Sequence, residues 1–240
     1  FYEVDSSWEN GARKPLVQEN HKLIGRRVFN THLLPSMLPG RRFDGKTKYI
    51  YLLRSGPDAC LSFFHHLINQ DDESGGTSST FPNFPAFAQQ WLDGKIPYGS
   101  WNHHVCEWLE AQETLGGDLL LLRYEDMVND LASQVQRIAL FLGMQILNSA
   151  DLEKLLPKLT FSGMKKEVDL YSPVSVKWKE GYSFIRKGVV GDSAEKWSAL
   201  APEMHQQFDA EALATEAQLH AKHYELFRSL LPAPRQVKKM

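Results

Sequence analysis

Apolar and polar positions follow two patterns along the chain. Three short segments predict β-strands: 26–32, which is apolar only at its centre, and the apolar runs at 48–54 and 119–124. Between and after them, apolar residues recur every three or four positions, which predicts helices over 57–70, 84–92, 101–115, 131–142, 150–159 and from 195 to about 229. Strands that alternate with helices predict one α/β domain over 1–240, with a central parallel sheet flanked by helices.

Four stretches fall outside these two patterns. Residues 1–25 are polar and predict a loop, and 71–80, rich in Ser, Gly and Thr, predicts a flexible loop. Residues 165–190 form a segment too long for an ordinary connector. Residues 231–240 predict a frayed C-terminal tail.

Composition narrows the possible partners. The net charge of -2 over 240 residues argues against a nucleic acid or a membrane surface as partner, so any anion site must be local. No apolar run approaches the ~18 residues of a membrane span. Cys60 and Cys106 lie in helical patterns and predict reduced, buried thiols of a cytoplasmic protein.

Three polar side chains come at the ends of the predicted strands: His32, Arg54 and Tyr124. In parallel α/β sheets, ligands bind at the carboxyl ends of the strands. A histidine there has a pKa suited to general-base work near neutral pH, although a lone histidine is more often structural. The strand ends therefore predict the position of a site.

Two groups of residues suit a phosphate. Arg54 offers a planar fork of donors, and Ser62 follows about two helical turns later. Arg186 and Lys187 precede Gly188, whose backbone can approach an anion closely. The alternatives are a surface arginine with a helix serine, and a solvated basic loop.

Histidine pairs and aromatic residues carry weaker signals. The pairs at 65–66 and 103–104 lack the i, i+4 spacing of a helical zinc site, so no metal is proposed. Several large apolar residues suit either a pocket lining or an ordinary core. They are Phe63, Phe64, Phe81, Phe84, Trp101, Phe161 and Met164.

Six short motifs occur in order along nearly the whole chain. They are Arg27–Pro35, Tyr51–Phe64, Pro97–Val105, Leu122–Met127, Phe161–Lys165 and Phe184–Asp192. In that order they resemble the cytosolic sulfotransferases, which transfer sulfuryl groups from 3′-phosphoadenosine 5′-phosphosulfate (PAPS) to hydroxyls or amines. The resemblance implies a P-loop-transferase-like fold and no metal, and the aromatic residues named above favour a small apolar or aromatic acceptor.

The resemblance also implies a role for each matching residue. His32 would be the general base that deprotonates the acceptor. The 3′-phosphate of PAPS, and of the product adenosine 3′,5′-bisphosphate (PAP), would be held by Arg54, Ser62, Arg186, Lys187 and Gly188. Tyr124, Thr160, Phe161 and Met164 would lie near the adenine. Phe64 and His104 would border the acceptor.

The chain departs from the family pattern in three places. The phosphosulfate-binding loop is missing, and residues 1–4 match a region downstream of it, so we expect the chain to be N-terminally incomplete relative to the family. Asn30 stands where the family has a lysine, and Ser193 stands where it has a tryptophan. The dimerisation segment around 196–203 is degraded, which leaves a homodimer open.

Two alternative functions remain at this stage. The missing loop and Asn30 favour a catalytically impaired protein that only binds the 3′-phosphonucleotide. A nucleotide kinase has the same sheet architecture, but the sequence holds no Walker-type loop. We expect residues 1–240 alone to transfer sulfuryl groups slowly or not at all, because cations near the reacting sulfate are lost.

Overall fold

The structure is a computed structural model, and it describes residues 2–3, 25, 28–38, 47–71, 80–172 and 177–232. Within these residues short strands alternate with helices, and the fold is α/β, as the sequence predicts. The strands are β1 (Tyr2–Glu3), β2 (Phe29–Asn30), β3 (Tyr49–Leu53) and β4 (Leu119–Arg123). The helices are α1 (Gly56–Ile68), α2 (Phe84–Leu92), α3 (Trp101–Glu110), α4 (Gln112–Leu115), α5 (Tyr124–Asn129), α6 (Leu131–Phe141), α7 (Ser149–Leu159), α8 (Phe161–Lys166), α9 (Val168–Tyr171), α10 (Ala194–Ser198), α11 (Pro202–Glu216) and α12 (Tyr224–Arg228).

β3 and β4 form a parallel pair, and its register determines where the site lies. Leu53 lies opposite Arg123 at the end of the ladder. Because parallel strands end at the same edge, the next residues, Arg54 and Tyr124, emerge side by side there. The strands predicted over 48–54 and 119–124 are therefore confirmed, each to within one residue at either end.

One face of β3 is open to solvent. Ile50 is 45% exposed and Leu52 is 50% exposed, whereas Leu53 is 1% exposed. A near-continuous apolar run such as 48–54 predicts a strand that is buried on both faces, and this prediction is wrong for the residues that the structure describes. Tyr51 packs against a helical core cluster on the inner face, and no element among the described ranges buries the outer face.

β2 is shorter than the predicted strand and does not join the parallel pair. It pairs in antiparallel with β1. Val28, just before β2, is 49% exposed, and Phe29, within it, is 40% exposed. The prediction that His32 follows a strand of the parallel sheet is therefore wrong within the described ranges. Polar residues from Asn30 onward end the apolar run, so it cannot supply a strand that is buried on both faces.

α1 begins with a side-chain cap and packs closely on α11. The hydroxyl of Ser55 accepts a hydrogen bond from the backbone N–H of Asp58 at 3.4 Å. A Cβ atom added at Gly56 would lie 3.0 Å from the ring of Phe208, so glycine permits the close approach. The helix predicted over 57–70 is confirmed, with ends shifted by one and two residues.

Two apolar clusters hold α1 and the strand ends in place. The first joins α1, α2, α10 and α11 around the fully buried Phe87 and Phe208. The second joins β3, α3 and α12 through Leu53, Leu109 and Phe227. Because both clusters are closely packed, the edge that carries Arg54 and the start of α1 rests on a rigid base.

Several smaller predictions can also be compared with the structure. Cys60 and Cys106 are buried free thiols, as predicted, and burial raises the pKa of both. No helix within the described ranges is long and apolar enough to cross a membrane. The predicted loop over 71–80 and the predicted tail over 231–240 lie largely outside the described residues, as do most of residues 1–25.

Candidate functional site

Arg54 and Tyr124 meet at the edge where β3 and β4 end. The guanidinium carbon of Arg54 lies 4.4 Å from the centre of the Tyr124 ring, which is a cation–π contact. Within the described chain, the buried Nε of Arg54 has no hydrogen-bond partner. A held guanidinium with an unpaired N–H is suited to an anion from outside the chain.

Residues 177–193, here called the flanking segment, run beside α1 in the opposite direction. At the C-terminal end of α1, the backbone N–H of Asp71 donates to the carbonyl of Lys177 at 3.0 Å. The backbone N–H of Lys179 donates to the carbonyl of Asn69 at 2.9 Å. These bonds fix one end of the segment, so its later residues pass along the side of α1.

One face of α1 meets the far end of the flanking segment. Asp58, Ser62 and His65 are spaced four and three apart, which places them on one face of the helix. Asp58 accepts hydrogen bonds from the Gly191–Ser193 turn. Burial of the ring, followed by the nearby Arg186, lowers the pKa of His65 to about 4. Ser62 therefore lies between two side chains that both meet this segment.

Asp192 holds the two cations of the flanking segment together. Arg186 Nη2 lies 2.5 Å from one carboxylate oxygen of Asp192, and Lys187 Nζ lies 2.7 Å from the other. Burial opposes ionisation of Asp192, but the hydrogen bonds from Lys187 and Arg186 outweigh it and hold its pKa below the usual value. The side chain of Lys187 is still 56% exposed, so it can also reach a ligand.

Gly188 packs against the ring of Phe161 at the start of α8. Gly188 has a φ of +66°, and a Cβ atom added there would lie 2.3 Å from Phe161 Cδ2. The hydroxyl of Thr160 caps α8 by accepting from the N–H of Gly163 at 3.1 Å, and Met164 follows one turn after the cap. The contact between Phe161 and Gly188 therefore brings the residues predicted to lie near the adenine close to those predicted to hold the 3′-phosphate.

An open groove of about 500 Å³ lies between α7 and α8. Its lining includes Thr160, but none of the predicted phosphate ligands. We therefore do not identify the nucleotide site with this groove on the basis of its volume. The lining residues are Glu153, Leu156, Pro157, Thr160, Ser162, Gly163 and Lys166.

His32 lies on the ring of Tyr98. The ring centres are 4.3 Å apart and the planes differ by 28°. Tyr98 has a φ of +75°, an uncommon conformation for a residue other than glycine. Although His32 keeps an exposed surface, burial of its ring and the neighbouring His104 lower its pKa. A neutral imidazole with a free lone pair is the form that a general base needs.

His104 connects the backbone of His32 to β3. Its Nε2 lies 3.1 Å from the carbonyl oxygen of His32, and its Nδ1 lies 2.9 Å from the hydroxyl of Tyr51. Because a carbonyl only accepts, Nε2 carries the proton, and Nδ1 accepts from the Tyr51 hydroxyl. Burial lowers the pKa of His104 and raises that of Tyr51, which favours the neutral forms that this arrangement requires.

A cluster of aromatic rings extends from Tyr98 toward the flanking segment. Phe63 stacks on Tyr98 with ring centres 5.8 Å apart, and the His66 ring lies 5.1 Å from that of Trp178. Phe184 lies 6.1 Å from His66. Burial lowers the pKa of His66, and the nearby His32 lowers it further, so the cluster borders the predicted base.

The sequence does not single out four residues of this cluster. They are His66, Tyr98, Trp178 and Phe184. The motifs over 97–105 and 184–192 were the available signals for Tyr98 and Phe184, whereas Trp178 reaches the site only through the course of the flanking segment. Phe64 is 6% exposed and packs in the core against Phe84 and Phe87, and its neighbour Phe63 contacts Tyr98. A role for Phe64 at the acceptor remains a prediction.

Two solved structures that contain PAP share this fold. Mouse sulfotransferase SULT7A1, crystallised with PAP, aligns with a TM-score of 0.67 and 27% identity, over 85% of this chain and 69% of that one. Retinol dehydratase, crystallised with retinol and PAP, aligns with a TM-score of 0.64 and 25% identity, over 81% of this chain and 55% of that one.

The sequence comparison identifies the family. The sulfotransferase domain family matches residues 13–219, and the chain therefore belongs to the sulfotransferase family. Mouse sulfotransferase 1B1 is 31% identical over 204 residues, and bovine sulfotransferase 1A1 is 30% identical over 192 residues. The matches cover 83% and 78% of this chain, and 64% and 62% of the relatives. The chain thus spans less than two thirds of the length of these curated relatives.

Proposed function

We propose that the protein is a PAPS-dependent sulfotransferase that transfers a sulfuryl group to a hydroxyl or an amine of a small, apolar or aromatic acceptor in the cytoplasm. The observation that carries the proposal is the shared face of α1. On that face Ser62 lies between Asp58 and His65, beside the segment that brings Arg186. Because the positions on either side of Ser62 lie close to the segment that carries Arg186 and Lys187, the Ser62 hydroxyl is suited to bind a phosphate together with these cations.

The residues of the proposed site suit a 3′-phosphate in charge and in the donors that they offer. Arg54 offers a buried Nε that has no partner in the described part of the chain. Arg186 and Lys187 are already brought together by Asp192. Gly188 has a positive φ and no side chain, so its backbone can approach an anion. When bound, PAPS supplies the sulfuryl group and leaves as PAP.

The adenine of the nucleotide would lie between the strand edge and α8. Tyr124 stands at the strand edge beside Arg54, while Phe161 packs on Gly188. Thr160 and Met164 would border the same space, since both belong to the first turn of α8 or its cap. If the 3′-phosphate binds at the turn of Gly188, the ring of Phe161 beside that turn is suited to contact the adenine of the same nucleotide.

His32 would remove the acceptor proton. A ring nitrogen of His32 would accept the proton of the acceptor hydroxyl or amine during transfer. PAPS, when bound, would supply the sulfuryl group, and the bridging oxygen with its electron pair would remain on PAP as the leaving group. The stack on Tyr98 and the bond from His104 to the backbone of His32 orient the ring, which reduces the entropy cost of the step.

The aromatic cluster would receive the acceptor. Tyr98 stacks on His32, Phe63 stacks on Tyr98, and Trp178 lies against His66, whose lowered pKa favours a neutral hydrogen-bonding ring. Aromatic walls around few polar groups suit a small apolar or aromatic alcohol. Phe64 and His104 would border the acceptor as the family resemblance implies, and a homodimer remains a prediction.

A second candidate function is nucleotide binding without transfer. Asn30, which stands where the resemblance implies a lysine, lies two residues before His32 and is exposed. Losing a cation near the reacting sulfate would slow transfer and leave the 3′-phosphate site intact. The family match argues against the remaining alternative, a nucleotide kinase.

The test is calorimetric titration of the 240-residue chain with PAP and with AMP, which lacks the 3′-phosphate. We expect PAP to bind about ten-fold or more tightly, because charge-assisted bonds to the 3′-phosphate are absent with AMP. Lys187→Ala should remove part of this preference. Lys154→Ala, which changes an exposed lysine of α7, is the matched control and should leave it intact. Equal affinities for the two nucleotides would exclude the proposed site.

A further inference from the structure

Asp58 is a buried carboxylate with three partners in one turn of the flanking segment. It is 2% exposed. Its Oδ2 accepts from the backbone N–H of Gly191 at 2.7 Å. Its Oδ1 accepts from the backbone N–H of Ser193 at 3.0 Å and from the Ser193 hydroxyl at 2.6 Å. A buried carboxylate paired in this way holds its partners firmly, because each bond is charge-assisted.

The carboxylate of Asp58 is not used by its own helix. At this position of a helix, an acidic side chain commonly bonds back to the backbone N–H of the capping residue. Here that N–H belongs to Ser55, and it donates to a carboxylate oxygen of Glu125 at 3.4 Å. The side chain of Asp58 is therefore directed to the flanking segment.

The turn that Asp58 holds also contains the residue that holds the cations. Asp192 lies between Gly191 and Ser193, and its carboxylate binds Arg186 and Lys187. A shift of the turn would move Asp192, and with it both cations. The chain of contacts runs from the first turn of α1 to the proposed phosphate ligands without a gap.

We propose that Asp58 and Ser193 are positioning residues, which fix the Gly191–Ser193 turn and so set where Arg186 and Lys187 meet the 3′-phosphate. The inference rests on the proposed function. Ser193 contributes a hydroxyl that the tryptophan of the family pattern lacks, so the side-chain bond to Asp58 belongs to this chain, whereas the two backbone bonds do not depend on the side chain at 193. Ser193 is 3% exposed, which shields its bond to Asp58 from water.

The first measurement is affinity for PAP and AMP in calorimetry. Ser193→Ala should weaken PAP binding about ten-fold, because a displaced turn costs charge-assisted contacts to the 3′-phosphate, while AMP affinity stays within about two-fold. Ser193→Thr keeps the hydroxyl and should restore PAP binding. Ser198→Ala is the matched control, because its hydroxyl bonds only to the nearby Glu195 carbonyl among the described residues. Equal losses for PAP and AMP in Ser193→Ala would indicate a general structural role and overturn the proposal.

The second measurement needs no nucleotide and separates this inference from the proposed function. In NMR titrations of the chain, His65 should titrate near 4, because burial and the fixed cations disfavour its charged form. In Ser193→Ala and Asp58→Asn the cations are freed from this position, so the pKa of His65 should rise, while burial, the larger cause of its lowering, keeps it below 6.5. An unchanged titration in both variants would overturn the positioning role. If the wild-type chain fails to prefer PAP but His65 shifts as expected, the proposed function fails and the fastening stands.

Discussion

Gly188 offers the sharpest test of the site because two separate costs meet at one residue. Its φ of +66° lies in the region that disfavours any residue with a Cβ atom. In Gly188→Ala the new methyl would lie 2.3 Å from Phe161 Cδ2 and 2.9 Å from Cγ. The second contact is near the base of the ring, so a small rotation of the side chain does not relieve the overlap.

The size of the effect follows from these two costs. A left-handed backbone costs roughly 1–2 kcal/mol for a residue other than glycine. Forcing a methyl into a packed contact adds about 1–3 kcal/mol. We therefore expect Gly188→Ala to lower the free energy of unfolding by about 2–5 kcal/mol. Because Phe161 must move, affinity for PAP should fall as well.

Urea unfolding at constant temperature measures the loss, and Gly181→Ala is the matched control. Gly181 has a φ of +77°, but no described atom lies within 4 Å of the added Cβ. It should therefore show only the backbone cost, roughly 1–2 kcal/mol. Combining Gly188→Ala with Phe161→Ala should remove the steric part. Equal losses in Gly188→Ala and Gly181→Ala would refute the close packing of Gly188 on Phe161.

Three further predictions concern the histidines and α1. The pKa of His65 falls to about 4 in the folded chain from 6.5, so only the unfolded chain takes up its proton between these values. Because the ring is partly exposed, solvent screening reduces the effect, and stability should fall by about 1–3 kcal/mol as pH drops from 6.5 to 4. His65→Gln should reduce that loss in urea unfolding. Ser62→Ala should weaken PAP binding about five-fold in calorimetry and leave AMP binding unchanged, because one neutral hydrogen bond is lost. His32→Ala should abolish sulfuryl transfer from labelled PAPS, assayed on the longest chain that the gene encodes, while PAP binding persists.

Each of these predictions has a clear contrary result. A pH profile that is identical in wild type and His65→Gln would show that another group sets the acid loss. Equal weakening of PAP and AMP in Ser62→Ala would remove Ser62 from the 3′-phosphate site. Normal turnover in His32→Ala would require a different base.

Local features of the fold could be predicted from the sequence, and long-range features could not. The helices over 84–92 and 131–142 follow from periodicity, because helical hydrogen bonds form between near neighbours. Strand pairing depends on distant residues, so the antiparallel pairing of β2 was missed. Burial is likewise non-local, and for that reason the exposed outer face of β3 was missed.

The site divides in the same way. Arg54 beside Tyr124 could be predicted, since parallel strands end at one edge. The bonds of Asp58 to the flanking segment were missed because acidic residues are common in the first turn of a helix. The position of Asp58 three residues after the cap Ser55 therefore already had a local explanation. Asp192 was missed because a carboxylate in a phosphate site looks unfavourable until the structure shows it binding the cations.

The fastening of residues 177–193 along α1 has a consequence for local unfolding. The segment is held by backbone bonds near Asn69 at one end and by Asp58 at the other. It can therefore open without disrupting the apolar clusters, at a smaller free energy than global unfolding. A nucleotide that binds only the closed segment would raise that opening energy. In hydrogen exchange, the amides of Gly191 and Ser193 should therefore slow most when PAP is added, and those of the core helices least.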